Sequence, residues 1–153
     1  MTFTDRERNY LTSQSRGRLA TVAPDGSPQN KPVGFRLRQD LGTIDIGGFN
    51  MGASRKFRNV QAHPNVSFVV DDVVGEGPTG VRFVEIRGMA EALSGAPESG
   101  AGPSQEIIRI HPRRVLTWNI DPDQPGMSAR DWQAGWHRPE APRGPDPSPV
   151  KRG

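Results

Sequence analysis

Glycine, proline and aspartate interrupt this chain about every ten residues, so the apolar stretches between them suit only short strands or two-turn helices. The clearest interruptions are Ala23-Pro24-Asp25-Gly26 and Asp40-Leu41-Gly42. In the first, proline suits the second turn position and glycine the fourth. Strands joined this tightly pair antiparallel, because a parallel pair needs a long crossover. The pattern therefore predicts a mainly β chain with small helices, closed as a small antiparallel barrel, and argues against an open parallel sheet.

The individual segments fill in that outline. Thr4-Asp5-Arg6-Glu7 has the spacing of a capping box. It predicts a helix to about Gln14, with Phe3, Tyr10 and Leu11 facing inward and Gly17 as the breaker. Leu19 to Val22 and Pro28 to Leu37 read as a hairpin around the Pro-Asp-Gly turn. Pro32 within it implies a sheet edge or a bulge, since proline cannot donate to a ladder. Thr43 to Gly47 is a short strand, and Ser54 caps a helix from Arg55 to Ala62 that His63-Pro64 stops. Val66 to Val70 reads as a strand buried on both faces. Asp71 to Gly80 reads as a Gly-rich loop. Val81 to Ala92 is a long strand with Val84, Ile86 and Gly88 on one face. Leu93 to Ser104 is a second loop, and Glu106 to Ile110 and Val115 to Ile120 are two last strands flanking His111-Pro112.

Composition divides the chain. Hydrophobic residues make up 33% of the 153, and residues 122–153 carry seven prolines and four glycines. Such a segment buries too little apolar surface to offset its ordering entropy. One barrel domain is expected over residues 1–121. A mostly disordered tail follows over 122–153, with Trp132 or Trp136 as tethers. A folded unit of about 120 residues gains from pairing with a second copy.

Several function classes are excluded. The net charge of +3 is mild and no nucleic-acid-binding module is visible. There is no cysteine, hence no disulfide scaffold, thiolate nucleophile or iron–sulfur centre. The polar N-terminal residues and the lack of a long apolar run predict a cytoplasmic protein that does not engage a membrane. His63, His111 and His137 are scattered without metal-ligand spacing, so no metal site is expected. Asp71-Asp72 reads as a strand end meeting solvent.

One cluster points to chemistry. In Ser54-Arg55-Lys56-Phe57-Arg58, three cations fall in the first turn of the predicted helix, the end that the macrodipole disfavours for positive charge. Free N–H groups and cations there together suit a bound phosphate. Lys31, Arg36 and Arg38 form a second basic group, although Lys31 and Arg36 differ in strand parity unless Pro32 brings a bulge. Gly47-Gly48 would let a flat ring approach the backbone closely. A planar phosphorylated cofactor accounts for these features and for the lack of an evident catalytic side chain, because the chemistry would be the cofactor's own.

Those residues carry a resemblance. In order they are Gly17-Arg18-Leu19-Ala20-Thr21-Val22, Pro24-Asp25-Gly26, Lys31-Pro32-Val33-Gly34-Phe35, Thr43 to Gly48, Ser54 to Val60 and Pro64 to Asp72. Together they resemble the pyridoxamine-phosphate-oxidase-like superfamily over about Thr4 to Asp121, and within it the branch that uses coenzyme F420. The Thr43–Gly48 segment and Trp118-Asn119-Ile120-Asp121 are similar to a subgroup that includes dehydrotetracycline reductases. The resemblance implies an FMN-binding-like split antiparallel β-barrel, working as a homodimer with cofactor at the interface. It places the cofactor phosphate on Ser54, Arg55 and Lys56. It lines the ring with Gln29 to Phe35, thus Gln29, Lys31, Pro32, Val33 and Gly34, and with Ile46, Gly47 and Gly48. Asn59 joins the cofactor-binding set.

The implied activity is hydride transfer from reduced F420 to an electron-poor C=C of a small-molecule substrate such as a dehydrotetracycline, in antibiotic biosynthesis. No side chain is assigned a direct chemical step. Lys31 and Arg36 are candidates to stabilise an enolate. Two alternatives stand beside this reading. One is an FMN-dependent oxidase of the pyridoxamine-phosphate type, for which Arg113-Arg114 would be a second phosphate grip. The other is a non-catalytic flavin carrier.

Overall fold

Thr4 and Glu7 begin the fold as the capping box predicts. The Thr4 N–H donates to Glu7 Oε2 at 2.9 Å, and the Glu7 N–H donates to Thr4 Oγ1 at 3.2 Å. They start helix α1 (Asp5–Thr12), which ends at Ser13. A computed structural model describes residues 3–95, 100–132, 136–140 and 142–145. After α1 come β1 (Arg16–Val22), β2 (Pro28–Arg38), β3 (Thr43–Gly47), a 3-10 turn (Met51–Ala53) and helix α2 (Arg55–Ala62). Strands β4 (Asn65–Val73), β5 (Val81–Leu93), β6 (Ile107–Trp118) and β7 (Met127–Asp131) complete the order. No helix among the described residues is long and apolar enough to cross a membrane.

Six strands close a barrel. They pair in the order β3-β2-β1-β4-β5-β6, and β3 pairs back onto β6. All these pairings are antiparallel. The fold is the expected split antiparallel β-barrel with two small helices. Its interior holds Phe68, Ile44, Ile46, Ile86, Ile108 and Ile110 without solvent access. Burying each such side chain contributes about 1.5–3 kcal/mol. Val84, Ile86, Gly88 and Ala90 form the inward face of β5, as the alternation predicted.

Three local expectations change, and the choice left open at Pro32 is settled as an edge. Gly17 lies inside β1 and does not end the helix. A Cβ there would sit 2.3 Å from the Phe68 ring, so glycine makes room for an aromatic in the core. Strand β4 is buried on one face, with Val66, Phe68 and Val70 inward and Ser67 and Val69 only half-buried. Pro32 sits at a local edge, because β3 pairs with β2 only from Gly34 onward, and the register past it is unbroken. Finally, the two last strands are one. Strand β6 runs through His111-Pro112, and a register shift opposite Arg87 and Gly88 absorbs an extra residue. Pro112 is tolerated because its other edge lies between the ladders of β3 and β7 and needs no donor.

The first part of the tail expected to be mostly disordered is ordered, with Trp132 as one of its expected tethers, while residues 133–135, 141 and 146–153 lie outside the described residues. Residues Met127–Asp131 form β7 on the edge of β6. Arg130 donates from Nε and Nη2 to the Glu7 carboxylate at 3.0 and 2.5 Å. Glu7 is only 4% exposed. Trp132 packs edge-on against Phe3 at 4.9 Å between centroids, and its backbone N–H donates to Arg113 O at 2.6 Å. The barrel sheet therefore extends past Asp121. The Trp132 tether was legible, but composition hid β7 because its other anchor is a single arginine and not an apolar run.

Asp72 ties α1 to the barrel. It accepts from Tyr10 Oη at 2.9 Å, from Arg82 Nε at 3.0 Å and Nη2 at 2.6 Å, and from Gln14 Nε2 at 3.3 Å. The Arg82 guanidinium foremost, aided by the Tyr10 hydroxyl, holds the Asp72 carboxyl below the usual carboxylate range. Burial, and then Asp72 itself, pushes the Tyr10 hydroxyl up.

Two predictions follow from these anchors. The lowered carboxyl of Asp72 stabilises the fold above its ordinary titration near about pH 4, and that contribution disappears as pH falls through the lower folded value. Asp72→Asn should therefore flatten the acid limb of a plot of melting temperature against pH. An equally steep limb would place the acid sensitivity in another carboxylate. Arg130→Met should cost about 3 kcal/mol, the lower end for breaking a buried pair, because Glu7 stays buried without its cation while Arg130 is partly exposed. Urea unfolding measures this, and an unchanged midpoint would show that β7 is only appended.

Candidate functional site

Helix α2 starts where Ser54 turns the chain. Ser54 Oγ accepts from the Phe57 N–H at 3.3 Å and donates to Met51 O at 2.6 Å. Below it Met51 is fully buried, which seats the helix start on the core. Phe57, Asn59 and Val60 face inward. The first turn carries no acidic residue. Arg55 and Lys56 project from it over the end of the β1–β2 hairpin.

The hairpin supplies the other wall. Across its ladder Leu19 opposes Lys31 and Thr21 opposes Gln29. Leu19 and Thr21 are buried, so Lys31 and Gln29 lie on the inward-facing side of the sheet, beyond the packed core. Between hairpin and helix start is a cleft of about 630 Å³ lined by these four residues with Pro32, Arg55 and Lys56. Its size is that of a small-molecule site. Leu19 and Pro32 give it apolar surface, and its charged groups are all cations.

Among the described residues those cations have no carboxylate partner. Elsewhere on the barrel Arg18 meets Asp71, Arg38 meets Asp40, Arg82 meets Asp72 and Arg109 meets Asp45. Lys31, Arg55 and Lys56 meet no carboxylate among the described residues. Three cations set together against a helix N-terminus repel one another and the dipole. An anion placed in the cleft would relieve this arrangement, and the α2 N–H groups would favour it too.

The remaining residues singled out in the sequence are elsewhere. Val33 and Ile46 belong to the core. Ser54 is committed to its cap. Asn59 is 2% exposed and lies beneath the cleft wall. Gly34, Gly47 and Gly48 line a separate cleft of about 350 Å³, with Arg16, Phe49 and Pro103. Gly34 has the opposite strand parity to Lys31, which puts that cleft on the other face of β2. The close approach at Gly47 is made by the chain's own loop: a Cβ there would lie 2.2 Å from Ala101 O. Ser104 N–H also donates to Gly48 O at 3.2 Å. Without a bulge at Pro32, Arg36 is on the face away from Lys31, where its guanidinium lies against Gly100.

Two polar groups escaped the sequence reading. Asp45 is fully buried and accepts from Arg109 Nε and Nη2 at 2.8 and 2.9 Å, which raises the Arg109 pKa. An Ile-Asp-Ile strand shows the aspartate but not its partner 64 residues away. His111 Nε2 lies 2.6 Å from Glu91 Oε2 and its ring stacks on Trp136 at 4.5 Å. Neither group reaches the cationic cleft.

A closed split barrel with a cationic cleft at a capped helix start defines a class. The sequence pattern of the pyridoxamine 5'-phosphate oxidase family matches residues 3–119, and the chain belongs to that family. It is 50% identical over 133 residues to the 5a,11a-dehydrotetracycline/5a,11a-dehydrooxytetracycline reductase of Streptomyces rimosus subsp. rimosus, covering 86% of this chain and 94% of that one. Its backbone is similar to a conserved hypothetical protein of Mycobacterium tuberculosis, with TM-score 0.62, 24% identity, and 88% and 96% of the two chains covered. The FAD binding protein from Mycobacterium smegmatis gives TM-score 0.57 and 20% identity over 76% of this chain and 95% of that one. At such identities these two structures speak for the fold alone.

The cleft is expected to take a phosphorylated ligand. Arg55→Ala and Lys56→Ala should each weaken binding of FMN by about 1.5 kcal/mol, roughly tenfold, the lower end for a charge-assisted hydrogen bond. Fluorescence titration reads this. Unchanged affinity in both variants would move the phosphate to another site.

Proposed function

We propose that this protein is an oxidoreductase that binds coenzyme F420 in the cationic cleft and reduces an electron-poor C=C bond of a dehydrotetracycline-type substrate in antibiotic biosynthesis. The observation that carries the reading is the set of three cations, Lys31, Arg55 and Lys56, without a carboxylate partner among the described residues, around an apolar-floored cleft at the start of α2. That donor set fits a planar group bearing phosphate. The substrate class rests on the 50% identity to the Streptomyces rimosus reductase.

Residue roles divide by position. Arg55 and Lys56 hold the phosphate, with the helix N-terminus behind them. Gln29 and Pro32 line the ring. Lys31 is the cation available to a developing enolate, since Arg36 lies on the opposite face of β2. When bound, a reduced deazaflavin supplies a hydride, and the protein's task is to hold donor and acceptor carbons in line. Arg114 is paired with Asp131 at 2.6 Å at the surface, a weak contact that leaves Arg113 aside. The preference for a reductase over an oxidase acting on a phosphorylated amine rests on the similarity to the Streptomyces rimosus enzyme.

A second copy of the chain belongs to the same proposal. The cleft is walled by one hairpin and one helix start only, and Phe49 is 90% exposed, Val73 72% and Val74 60%. Val73 and Val74 are adjacent at the end of β4, and an exposed apolar pair there is a surface that a second subunit could cover. Light scattering should give a dimer mass.

The deciding assay mixes purified protein, F420H2 and a 5a,11a-dehydrotetracycline, and follows oxidation of the deazaflavin. Turnover is expected. Oxygen-dependent oxidation of pyridoxamine phosphate with FMN, and no reaction of F420H2 with any enone tried, would replace this reading with the oxidase.

A further inference from the structure

Asn59 is a polar residue in an apolar place. It lies on the inward face of α2 between Phe57 and Val60, and is 2% exposed. An unsatisfied amide there would cost more than any packing it provides. Its Nδ2 has two hydrogens and both are used. One goes to Thr21 Oγ1 at 3.0 Å and the other to Gln29 Oε1 at 2.8 Å. Thr21 and Gln29 are direct cross-strand partners on β1 and β2. The helix thus grips both strands of the hairpin at a single rung, immediately under the cleft wall.

The consequence falls on Gln29. An amide has one acceptor end and one donor end. The acceptor end of Gln29 is taken by Asn59. Its donor end, Nε2, has no hydrogen bond among the described residues, and Gln29 lines the cleft. We infer that Asn59 is a positioning residue that orients the Gln29 amide so that the cleft presents an N–H donor, selecting an occupant whose facing edge carries a hydrogen-bond acceptor such as a ring carbonyl. This rests on the cofactor reading above and adds to it a polarity that the cations do not supply. Arg55, Lys56 and Lys31 recognise charge, whereas an oriented amide distinguishes one edge of a planar ring from another.

Asn59→Asp is the informative variant, because it keeps the shape and removes both donors. An aspartate at 59 accepts from Gln29 Nε2, which turns the Gln29 carbonyl toward the cleft. Affinities for FMN and for F420 are measured by fluorescence titration in four proteins: unmodified, Asn59→Asp, Gln29→Met and the double variant. The expected result is a loss of about tenfold for the preferred probe in each single variant, with no further loss in the double variant, since Asn59 acts only through Gln29. A purely structural Asn59 would cost the same factor with methionine at 29 as with glutamine, and that outcome overturns the inference. So does full affinity in Asn59→Asp. Should Asn59→Asp not fold, Gln29→Met alone carries the test: a tenfold loss is expected and unchanged affinity overturns it. If the unmodified protein binds neither probe, the cofactor reading itself falls and takes this one with it. That result is distinct from binding that ignores the substitutions.

Discussion

The unbroken register between β1 and β2 is the constraint on which the site depends. Strand periodicity is two, so a slip of one residue would carry every side chain of β2 to the other face. The register is set at the turn. Ala23 N–H donates to Ser27 O at 2.9 Å and Gly26 N–H to Ala23 O at 2.8 Å, with Gly26 at φ 85. The Asp25 carboxylate accepts from both the N–H and the hydroxyl of Ser27 at 3.0 and 2.5 Å. This local set of bonds decides that Lys31 and Gln29 share the face of Leu19 and Thr21. Helix α2 then meets a hairpin whose polar groups already point at it, and Asn59 locks the two together.

A second constraint acts at the seam where the barrel closes. Strand β3 has five residues, all buried, and pairs with both β2 and β6. Asp45 in its middle opposes Arg109 on β6. A buried ion pair is weak evidence for stability, since desolvation offsets much of the attraction. Its effect on register is clearer. Shifting β6 by one residue would take Arg109 away and leave the buried Asp45 only its longer contact with Arg38 Nη1 at 3.5 Å, so part of a buried charge would go unanswered. The pair penalises wrong closures more than it rewards the right one. Glu7 and Arg130 act alike at the other end of the barrel. There one carboxylate serves the α1 cap and the docking of β7.

How much of this was legible in the sequence follows from the range of each interaction. The α1 capping box, the Pro-Asp-Gly hairpin and the Ser54 cap involve residues a few positions apart, and their signatures are contiguous. The cationic start of α2 was legible for the same reason. The partnerships of Asp45 with Arg109, Glu7 with Arg130 and Asn59 with Gln29 span tens of residues and leave no local mark. Two local signals misled. His111-Pro112 looks like a break, yet a missing donor costs nothing where a strand's edge is unpaired. Gly47-Gly48 does signal a close approach, but the approaching group is the loop at Ala101–Gly102. A glycine pair announces that something comes near and not what it is.

The cleft's two kinds of polar group differ in stiffness, and that difference bears on what the site can select. Arg55 and Lys31 are exposed, long and solvent-facing, and Lys56 is half-buried. Such side chains follow a phosphate over a range of positions, so they tolerate ligands that differ in the length and number of their anionic groups. Gln29 is half-buried and held by a buried partner, so its amide keeps its place. On the cofactor reading proposed above, tolerance at the charged end with rigidity at the ring end would let the cations recruit a phosphorylated molecule while the hairpin wall decides which planar group is accepted and which way it lies. For chemistry that consists of aligning two carbons, the rigid end is the one that matters. On the cofactor reading, exchanging one cation for another at Lys56 changes how much ligand binds, whereas disturbing the Thr21–Asn59–Gln29 rung changes how it is oriented once bound.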